Sequence, residues 1–322
     1  MIKLLFLVTI TTLLSAKYTN CNFKNSNYEE ICNRLVKKGV SLEYANTFLL
    51  SQKTKTLDMK SFNLFQPKQI KVHHANEKRA NNNLVKYVPQ IVSHINKYEE
   101  VYNSAESKYK VNREVVAAIL MKETRLGIIK PKYDAFSVFN TLVLKTKVKS
   151  PRDKWLLNMG KSNMVSIISY CYKKDYKPLA CNFPSSYAGA VGIPQFMPNN
   201  FIYIEGYKKE VGDLTDMKDA IMSASRFLNK VAGFKELIDW KKIPEMKTVE
   251  EDWYEYDFTY KNSSFVYSKS KKTGKKYNCF ACGDNDLEYL RQYAKKIMTY
   301  NNSSNYAIGV LRLAYDAYYL MK

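Results

Sequence analysis

Histidine is scarce in this 322-residue sequence, which contains His73, His74 and His94. One C-x-x-C pair, Cys279 and Cys282, lies far downstream of them. A structural zinc site needs four closely spaced Cys or His ligands, and neither a second C-x-x-C pair nor a histidine cluster completes such a set. The strand and α/β context of a thioredoxin motif is also missing there. We therefore expect no metal, and a disulfide or free thiols at the C-x-x-C pair.

Acidic residues are also few. The chain has 30 Asp and Glu and 51 Lys and Arg, which gives a formal net charge of +21. A nucleic-acid-binding protein can have this balance. However, the lysines are dispersed along the chain, apart from KSKKTGKK at 269–276, and dispersed lysine is typical of a solvated surface. Internal repeats and low-complexity segments are lacking, and the hydrophobic fraction of 46% is that of a globular protein. We expect no nucleic-acid partner.

Outside the N-terminus the chain has no long apolar run. The first 16 residues, MIKLLFLVTITTLLSA, combine one lysine, an apolar stretch and small residues. This pattern predicts a signal peptide cleaved after Ala16, because it is too short to span a membrane; a retained signal anchor is the alternative. YTN before Cys21 differs from a lipid-attachment site. We expect a periplasmic protein that is not a lipoprotein, whose polyanionic neighbours are cell-wall peptide carboxylates and lipid head groups.

Six cysteines in an exported chain favour disulfides, and their spacing favours local pairs. The candidate pairs are Cys21 with Cys32, Cys171 with Cys181, and Cys279 with Cys282.

Helical periodicity dominates the chain, with one alternating aromatic and polar stretch at 253–278 that predicts a β-hairpin. The predicted fold is mainly α (α+β). We divide it into a signal peptide (1–16), an N-terminal helical region (17–83), a central helical core (84–240), a small β insertion (241–283) and C-terminal helices (284–322).

An acidic side chain interrupts one apolar helical face. In VNREVVAAILMKETRLG, Val115, Ile119 and Glu123 share a face by i, i+4, i+8 spacing, after a candidate N-cap at Asn112 and before a candidate stop at Gly127. A carboxyl group there is expected to be desolvated and to have a raised pKa, which suits a general acid. The alternative is a structural ion pair, for example with Lys122 or Arg125.

A second unusual stretch, SSYAGAVGIPQFMP at 185–198, contains two glycines, two prolines and small alanines. Such residues let the backbone approach a ligand closely, while Tyr187, Gln195 and Phe196 offer aromatic and amide contacts. By itself this stretch favours a tight structural loop.

Together, these stretches resemble the membrane-bound lytic transglycosylase B family, enzymes that cleave cell-wall glycans. The family pattern E-[ST]-R-[FW]-G is matched by ETRLG, and S-Y-A-G-A-M-G-x-x-Q-F-M-P-S-S by SYAGAVGIPQFMPNN. Its D-A-I-x-S-x-A-N-Y helix is matched by DAIMSASRF at 219–227, and its Y-N-x-S-x-x-Y-A-x-A-V segment by YNNSSNYAIGV at 300–310. The four motifs occur in the family order, and the resemblance covers roughly residues 84–322.

The resemblance implies a lysozyme-like helical core with a long cleft, Glu123 as the sole catalytic acid and base, and no cofactor. The residues it places in substrate binding are Arg152, Ser186, Tyr187, Gln195, Phe196, Phe227, Tyr300, Asn301 and Tyr306. This chain departs from the family at Asp153, Leu126, Arg226 and Phe227. Where the family has a calcium loop rich in D-G-D-G, this chain has EGYKKEVGDL, in which Glu205 and Asp213 flank two lysines and Glu210; we expect no metal there.

A glutamate with a raised pKa supplies the proton that breaking a glycosidic bond requires. In a lytic transglycosylase the sugar's own C6 hydroxyl then attacks, and the product is a 1,6-anhydro sugar. We expect cleavage of the MurNAc-GlcNAc β-1,4 bond by a monomer, with a possible envelope assembly as partner. The alternatives are a hydrolytic muramidase and a non-catalytic peptidoglycan-binding protein.

Overall fold

The computed structural model describes residues 19–52, 54–57, 67–261, 264–278 and 287–322. The predicted signal peptide at 1–16, Cys279 and Cys282 lie outside these ranges. Within them, no helix is long and apolar enough to cross a membrane.

The described helices alternate with short loops along the whole chain. They are α1 (Ser26–Lys37), α2 (Leu42–Gln52), α3 (Pro67–Val85), α4 (Val88–Lys97), α5 (Glu99–Tyr109), α6 (Arg113–Thr124), α7 (Ala135–Lys145), α8 (Pro151–Lys173), α9 (Met217–Lys230), α10 (Met246–Trp253), α11 (Glu288–Met298) and α12 (Ser304–Leu320). Short 3₁₀ turns occupy Pro178–Ala180, Pro198–Tyr203 and Trp240–Lys242.

Two small antiparallel sheets accompany the helices. In the first, β1 (Tyr133–Asp134) pairs with β2 (Pro184–Ser185). In the second, β3 (Tyr256–Lys261), β4 (Ser264–Ser270) and β5 (Lys276–Tyr277) lie in that order, with a register shift between Thr259 and Tyr260. The prediction of a mainly helical fold with a small β-hairpin is confirmed.

The buried side chains form two clusters, and both draw on distant parts of the sequence. One lies among α4, α5, α6 and α9–α12, with residues such as Val115, Ile119 and Trp253. The other joins α1 and α2 to α7 and α8 through residues such as Phe48 and Phe136, whose ring centroids lie 5.3 Å apart. The N-terminal helices therefore pack on α7 and α8, while α3 packs on the C-terminal helix α12.

Several helix boundaries differ from those that the sequence predicts. The apolar spacing at 84–109 predicts a helix, but this stretch contains two helices, because α4 ends at Lys97 and α5 begins at Glu99. Helix α7 was not predicted; it begins at the cap Asp134, whose carboxylate accepts from Ser137 N. Helix α6 begins after Asn112 as predicted, but it ends at Thr124 instead of continuing to Gly127.

Both predicted disulfides within the described residues are present. Cys21 is bonded to Cys32, which joins the chain entering α1 to that helix. Cys171 is bonded to Cys181, which joins the end of α8 to the segment before the 185–198 loop. A disulfide of this loop length limits the unfolded chain and typically stabilises a fold by about 2–4 kcal/mol.

Candidate active site

Glu123 lies on the last turn of α6, where the chain turns sharply away. Arg125 and Leu126 follow with left-handed φ angles of 49° and 55°. Their amides close the helix end by donating to Met121 O (2.9 Å) and Leu120 O (3.0 Å). Left-handed backbone is unfavourable for residues with a Cβ, and such strain is concentrated at functional sites. This turn ends α6 at Thr124, the residue directly after Glu123. Glu123 therefore lies close to the end of the helix.

The Glu123 carboxylate is bound by one tyrosine and surrounded by mixed charges. Tyr306 donates a hydrogen bond of 2.7 Å from its hydroxyl to Glu123 Oε1. Burial raises the pKa of Glu123 from 4.5 to about 7, and the negative charge of Glu77 adds to the rise. The Tyr306 hydrogen bond and the positive charge of Lys122 act in the opposite direction and lower this pKa. Glu123 therefore holds a proton at neutral pH in a substantial fraction of molecules.

Tyr306 is fixed by the first turn of α12. Ser303 caps this helix by accepting a hydrogen bond from Tyr306 N (3.2 Å), and the Tyr306 side chain is 4% exposed. Burial and the negative charge of Glu123 raise the pKa of Tyr306 well above its usual value. Its hydroxyl is therefore protonated at all relevant pH values and remains a donor to Glu123.

The 185–198 loop is folded tightly against the protein. An added Cβ would lie 2.4 Å from the Phe139 ring at Gly189 and 2.4 Å from Leu214 at Gly192, and both glycines have positive φ angles. Only glycine permits these two close approaches. The loop is also attached to α6, because Thr124 Oγ1 donates to Ile193 O at 3.0 Å.

Gln195 and Ser186 occupy special positions in this loop. Gln195 has a left-handed φ of 51°, and its Nε2 donates to Gly192 O at 2.7 Å. Ser186 closes a turn: its backbone N donates to Ala190 O at 2.8 Å, and its Oγ accepts from Ala190 N at 3.3 Å. Both side chains, and that of Tyr187, are partly accessible.

Three aromatic rings pack together beside the loop. Phe227 lies 5.5 Å from Phe196 and 5.3 Å from Tyr300, measured between centroids. Tyr300 also donates its hydroxyl hydrogen bond to Pro194 O. Phe196 is 2% exposed and Phe227 is 4% exposed, so neither ring face is open to a sugar. The resemblance implied that Phe196 and Phe227 contact the sugar. In the structure their buried rings pack together with Tyr300 and support the loop instead.

The remaining predicted residues lie at the periphery of this arrangement. Asn301 is exposed in the turn before α12, and its carbonyl accepts from Ser303 N at 2.7 Å. Arg152 lies in the first turn of α8, with its guanidinium 4.6 Å from the centre of the Trp155 ring. The structure thus brings together Glu123, Tyr306, Tyr300 and the 185–198 loop.

The segment at 205–214, expected to lack a metal site, is organised by protein cations and amides. Buried Asp219 accepts from Asp213 N (2.7 Å) and Tyr207 N (2.8 Å), and it pairs with Lys209 Nζ at 2.7 Å. Glu205 pairs with Lys108 at 2.8 Å. The carboxylates of Asp219 and Glu205 are therefore engaged by backbone amides and lysine side chains. No metal-binding cluster of acidic, His or Cys side chains occurs within the described residues.

Sequence reasoning missed two residues near the acid. Asn81 and Glu77, both on α3, come from the polar stretch KVHHANEKRANNN at 71–83, whose composition predicts a joint or the start of a long exposed helix. Asn81 Oδ1 accepts a hydrogen bond from Lys122 Nζ, and Glu77 accepts one from Ser303 Oγ. The available signal was Gly309 inside the pattern of α12, since an isolated helical glycine can mark a close approach.

Comparison with known proteins gives one family match and several similar structures. The family model of the Transglycosylase SLT domain matches residues 24–315. No curated protein sequence matches the chain.

The Escherichia coli lytic transglycosylase Slt35, solved in complex with bulgecin A, is 19% identical over 96% of this chain and 98% of that chain, with a TM-score of 0.62. Soluble lytic transglycosylase SltB1 from Pseudomonas aeruginosa is 18% identical over 92% of this chain and 99% of that chain, with a TM-score of 0.59. SltB3 from Pseudomonas aeruginosa, in complex with NAG-anhNAM-pentapeptide, is 16% identical over 89% and 77% of the two chains, with a TM-score of 0.59. At these identities the likeness concerns the fold, and the predicted mainly helical lysozyme-like class is confirmed.

Proposed function

The chain belongs to the Transglycosylase SLT domain family, and on that premise we propose that it is an exported peptidoglycan lytic transglycosylase with Glu123 as its single acid and base. The observation that carries the proposal is the Glu123 carboxyl group at the end of α6. It is buried enough for a pKa of about 7 and is bound by Tyr306. A carboxyl group with this pKa can donate a proton near neutral pH and then accept one.

In the first step, protonated Glu123 transfers its proton to the glycosidic oxygen between MurNAc C1 and GlcNAc C4. The bond from C1 to that oxygen breaks, and the GlcNAc side leaves as an alcohol. Glu123 becomes a carboxylate. The Tyr306 hydroxyl, which already donates to Oε1 at 2.7 Å, stabilises that negative charge, because hydrogen bonds to ionised acceptors are stronger than neutral ones.

In the second step, the C6 hydroxyl of the same MurNAc attacks C1, and the Glu123 carboxylate takes the hydroxyl proton. A 1,6-anhydro ring forms, and Glu123 is protonated again. Water is neither consumed nor released, so one carboxyl group completes the cycle.

Hydrolysis by the alternative muramidase route needs a second carboxylate about 5–10 Å from the acid. Asp153 is engaged as a helix cap: it accepts from Lys149 N at 3.1 Å and Ser150 Oγ at 2.8 Å. Asp219 lies in the first turn of α9, where its buried carboxylate accepts hydrogen bonds from the 205–214 loop, and Asp216 caps the same helix. These two acids have structural roles. Glu77, the other carboxylate near Glu123, accepts a hydrogen bond from the helix cap Ser303, and these three roles favour the single-acid route.

The substrate is a peptidoglycan strand, and the partly accessible residues of the loop are its contacts. Ser186, Tyr187 and Gln195 would contact the sugars, while Phe196, Phe227 and Tyr300 hold the loop in place. The complexes of SltB3 with NAG-NAM-pentapeptide and NAG-anhNAM-pentapeptide are consistent with this substrate class. Arg152 and Asn301 are proposed contacts further along the strand.

Export, the periplasmic location, a monomeric state and the division of the chain at residues 84, 241 and 284 are parts of the same proposal. They rest on the leader pattern and on the order of the sequence motifs. The two disulfides suit an oxidising compartment.

The test is digestion of purified sacculi, followed by borohydride reduction and mass spectrometry of the muropeptides. Anhydromuramyl ends are expected about 20 Da lighter than reduced hydrolysis products, because only the latter gain water and hydrogen. Glu123→Gln is expected to abolish cleavage while sacculus binding persists, since the amide is isosteric but donates no acidic proton. The exposed control Glu29→Gln should retain activity.

Two results would overturn the proposal. Mainly reducible ends would identify a muramidase, and undiminished turnover by Glu123→Gln would remove this residue from its role. A wild-type protein that binds sacculi without releasing fragments would instead support the non-catalytic alternative.

A further inference from the structure

A lysine ammonium group lies beside the active-site acid and is held by a residue from another part of the chain. Lys122 directly precedes Glu123, and its Nζ donates a hydrogen bond to Asn81 Oδ1. The same Nζ lies 4.9 Å from the centre of the Tyr306 ring, the residue that binds Glu123. The ammonium group, the ring and the carboxylate therefore form one contiguous cluster.

Asn81 is itself held firmly in place. Its Nδ2 donates to Tyr254 OH at 2.6 Å and to Asn305 O at 2.8 Å, and the residue is 2% exposed. Opposite it, Gly309 leaves the space that Asn81 fills, since an added Cβ would lie 2.3 Å from Asn81 Cγ. All side-chain hydrogen-bonding directions of Asn81 are thus fixed, which leaves its Oδ1 oriented toward Lys122.

Glu77 lies one helical turn before Asn81 and supplies negative charge to the same cluster. It accepts a hydrogen bond from Ser303 Oγ, the cap that positions Tyr306. Its charge favours the ammonium form of Lys122 and opposes ionisation of Glu123. Helix α3 therefore provides both an amide that binds the ammonium group and a carboxylate that balances it.

We propose that Lys122, held by Asn81, is a positioning residue that keeps a fixed positive charge beside Glu123, and that Glu77 limits the effect of this charge. This inference rests on the proposed role of Glu123. When Glu123 gives up its proton, the ammonium group favours the resulting carboxylate. Glu77 prevents the carboxylate from becoming so stable that Glu123 would be deprotonated before the reaction begins.

Other charged groups also face this cluster. Burial lowers the pKa of Lys122, whereas Glu77, Glu123 and Glu250 act to raise it. From α10, Glu250 accepts from Tyr254 OH at 2.6 Å. On α12, the Arg312 guanidinium lies 4.0 Å from Glu250 Oε2 and 2.6 Å from Asp316 Oδ2, so Arg312 pairs with these two carboxylates. Lys78 of α3 lies 5.0 Å from the centre of the Tyr254 ring.

Two substitutions separate this electrostatic role from a merely structural one. Lys122→Met keeps the aliphatic stem and removes the positive charge, so Glu123 should titrate at higher pH. Glu77→Gln keeps an acceptor for Ser303 and removes the negative charge, so Glu123 should titrate at lower pH. A general loss of packing would not move the two midpoints in opposite directions. The exposed control Lys230→Met should leave the midpoint unchanged.

The midpoint is measured by ¹³C NMR on the full chain labelled with [δ-¹³C]glutamate, in which the Glu123 signal is identified by its loss in Glu123→Gln. A parallel assay follows release of soluble fragments from sacculi against pH. Below the midpoint, Lys122→Met should be slower by roughly tenfold, because the developing carboxylate loses a neighbouring cation. The alkaline decline in rate should move in the same direction as the NMR midpoint for each variant.

The inference fails if the Glu123 midpoint stays in place in both variants, or moves in the same direction in both. If Lys122→Met does not fold, Glu77→Gln still tests the inference. An unchanged Glu123 midpoint in Glu77→Gln would refute the role of Glu77 as a counter-charge. The NMR titration needs no turnover, so it tests this inference independently of the proposed function. Failure of the proposed function would be shown instead by cleavage activity in Glu123→Gln.

Discussion

Removing the Glu123 carboxyl group should stabilise the folded protein, and by an amount that grows with pH. Burial raises the pKa of Glu123 from 4.5 to about 7 in the folded state. Between these values the folded protein binds a proton that the unfolded chain releases, so raising the pH across this window lowers the free energy of unfolding. Above pH 7 the whole penalty is present, and below pH 4.5 it vanishes.

The magnitude follows from the same pKa difference. At about 1.4 kcal/mol for each pH unit, the penalty above pH 7 is an upper figure of about 3 kcal/mol. Glutamine has no titrating proton, so Glu123→Gln should gain most of this energy at pH 8 and less than about 1 kcal/mol at pH 5. Solvent screening of this partly accessible residue makes the true gain smaller than the upper figure.

The assay is urea unfolding at pH 5 and pH 8, followed by fluorescence of the buried Trp240 and Trp253. Glu29→Gln serves as the matched control, because it makes the same chemical change at an exposed position. Equal stability gains for Glu123→Gln at pH 5 and pH 8, or a loss at pH 8, would refute the conclusion that burial sets the properties of this acid.

Two further substitutions test the surroundings of the acid. Tyr306→Phe removes the 2.7 Å hydrogen bond to Glu123, so the alkaline decline in cleavage rate should move to higher pH and the maximal rate should fall roughly tenfold; an unchanged profile would count against this role. Gly189→Ala should lower stability by about 2 kcal/mol more than Gly39→Ala, because both have φ near +80° but only Gly189 approaches the Phe139 ring. Equal losses of stability in the two variants, measured by thermal unfolding, would show that the Phe139 ring moves aside.

The position of Glu123 could be predicted because its evidence is local. Helical spacing placed it on the face of Val115 and Ile119, which are 0% exposed, and periodicity carries that information within one turn or two. The ion-pair alternative named Lys122 and Arg125 as partners. In the structure Lys122 binds Asn81, and the Arg125 guanidinium lies over the Tyr87 ring at 5.3 Å.

The contribution of α3 could not be predicted because it depends on long-range packing. The stretch KVHHANEKRANNN has no apolar stripe to indicate which side faces the core. Asn81 becomes buried only because Gly309, 228 positions later in the sequence, leaves room for it. Neither residue alone carries a local signal that identifies the other.

The family motifs identified Phe196 and Phe227 but gave no information on how deeply the two side chains are buried. Phe196 and Phe227 belong to matched motifs, yet both are buried against Tyr300. A motif keeps a residue type whether the side chain contacts a ligand or supports the residue that does. Burial, which sequence spacing alone does not give for a loop, distinguishes the two roles.

The organisation of the site follows from the cost of placing a carboxyl group in a desolvated position. Burial alone would hold the proton too strongly for Glu123 to release it, while unrestrained contact with a cation would remove the proton before the substrate arrives. Tyr306 and Lys122 lower the pKa, Glu77 raises it, and the outcome is about 7. Because these neighbours come from α3, α6 and α12, the acid acquires this pKa only when three distant segments have packed together. The role proposed for Glu123 is in this way coupled to completion of the fold.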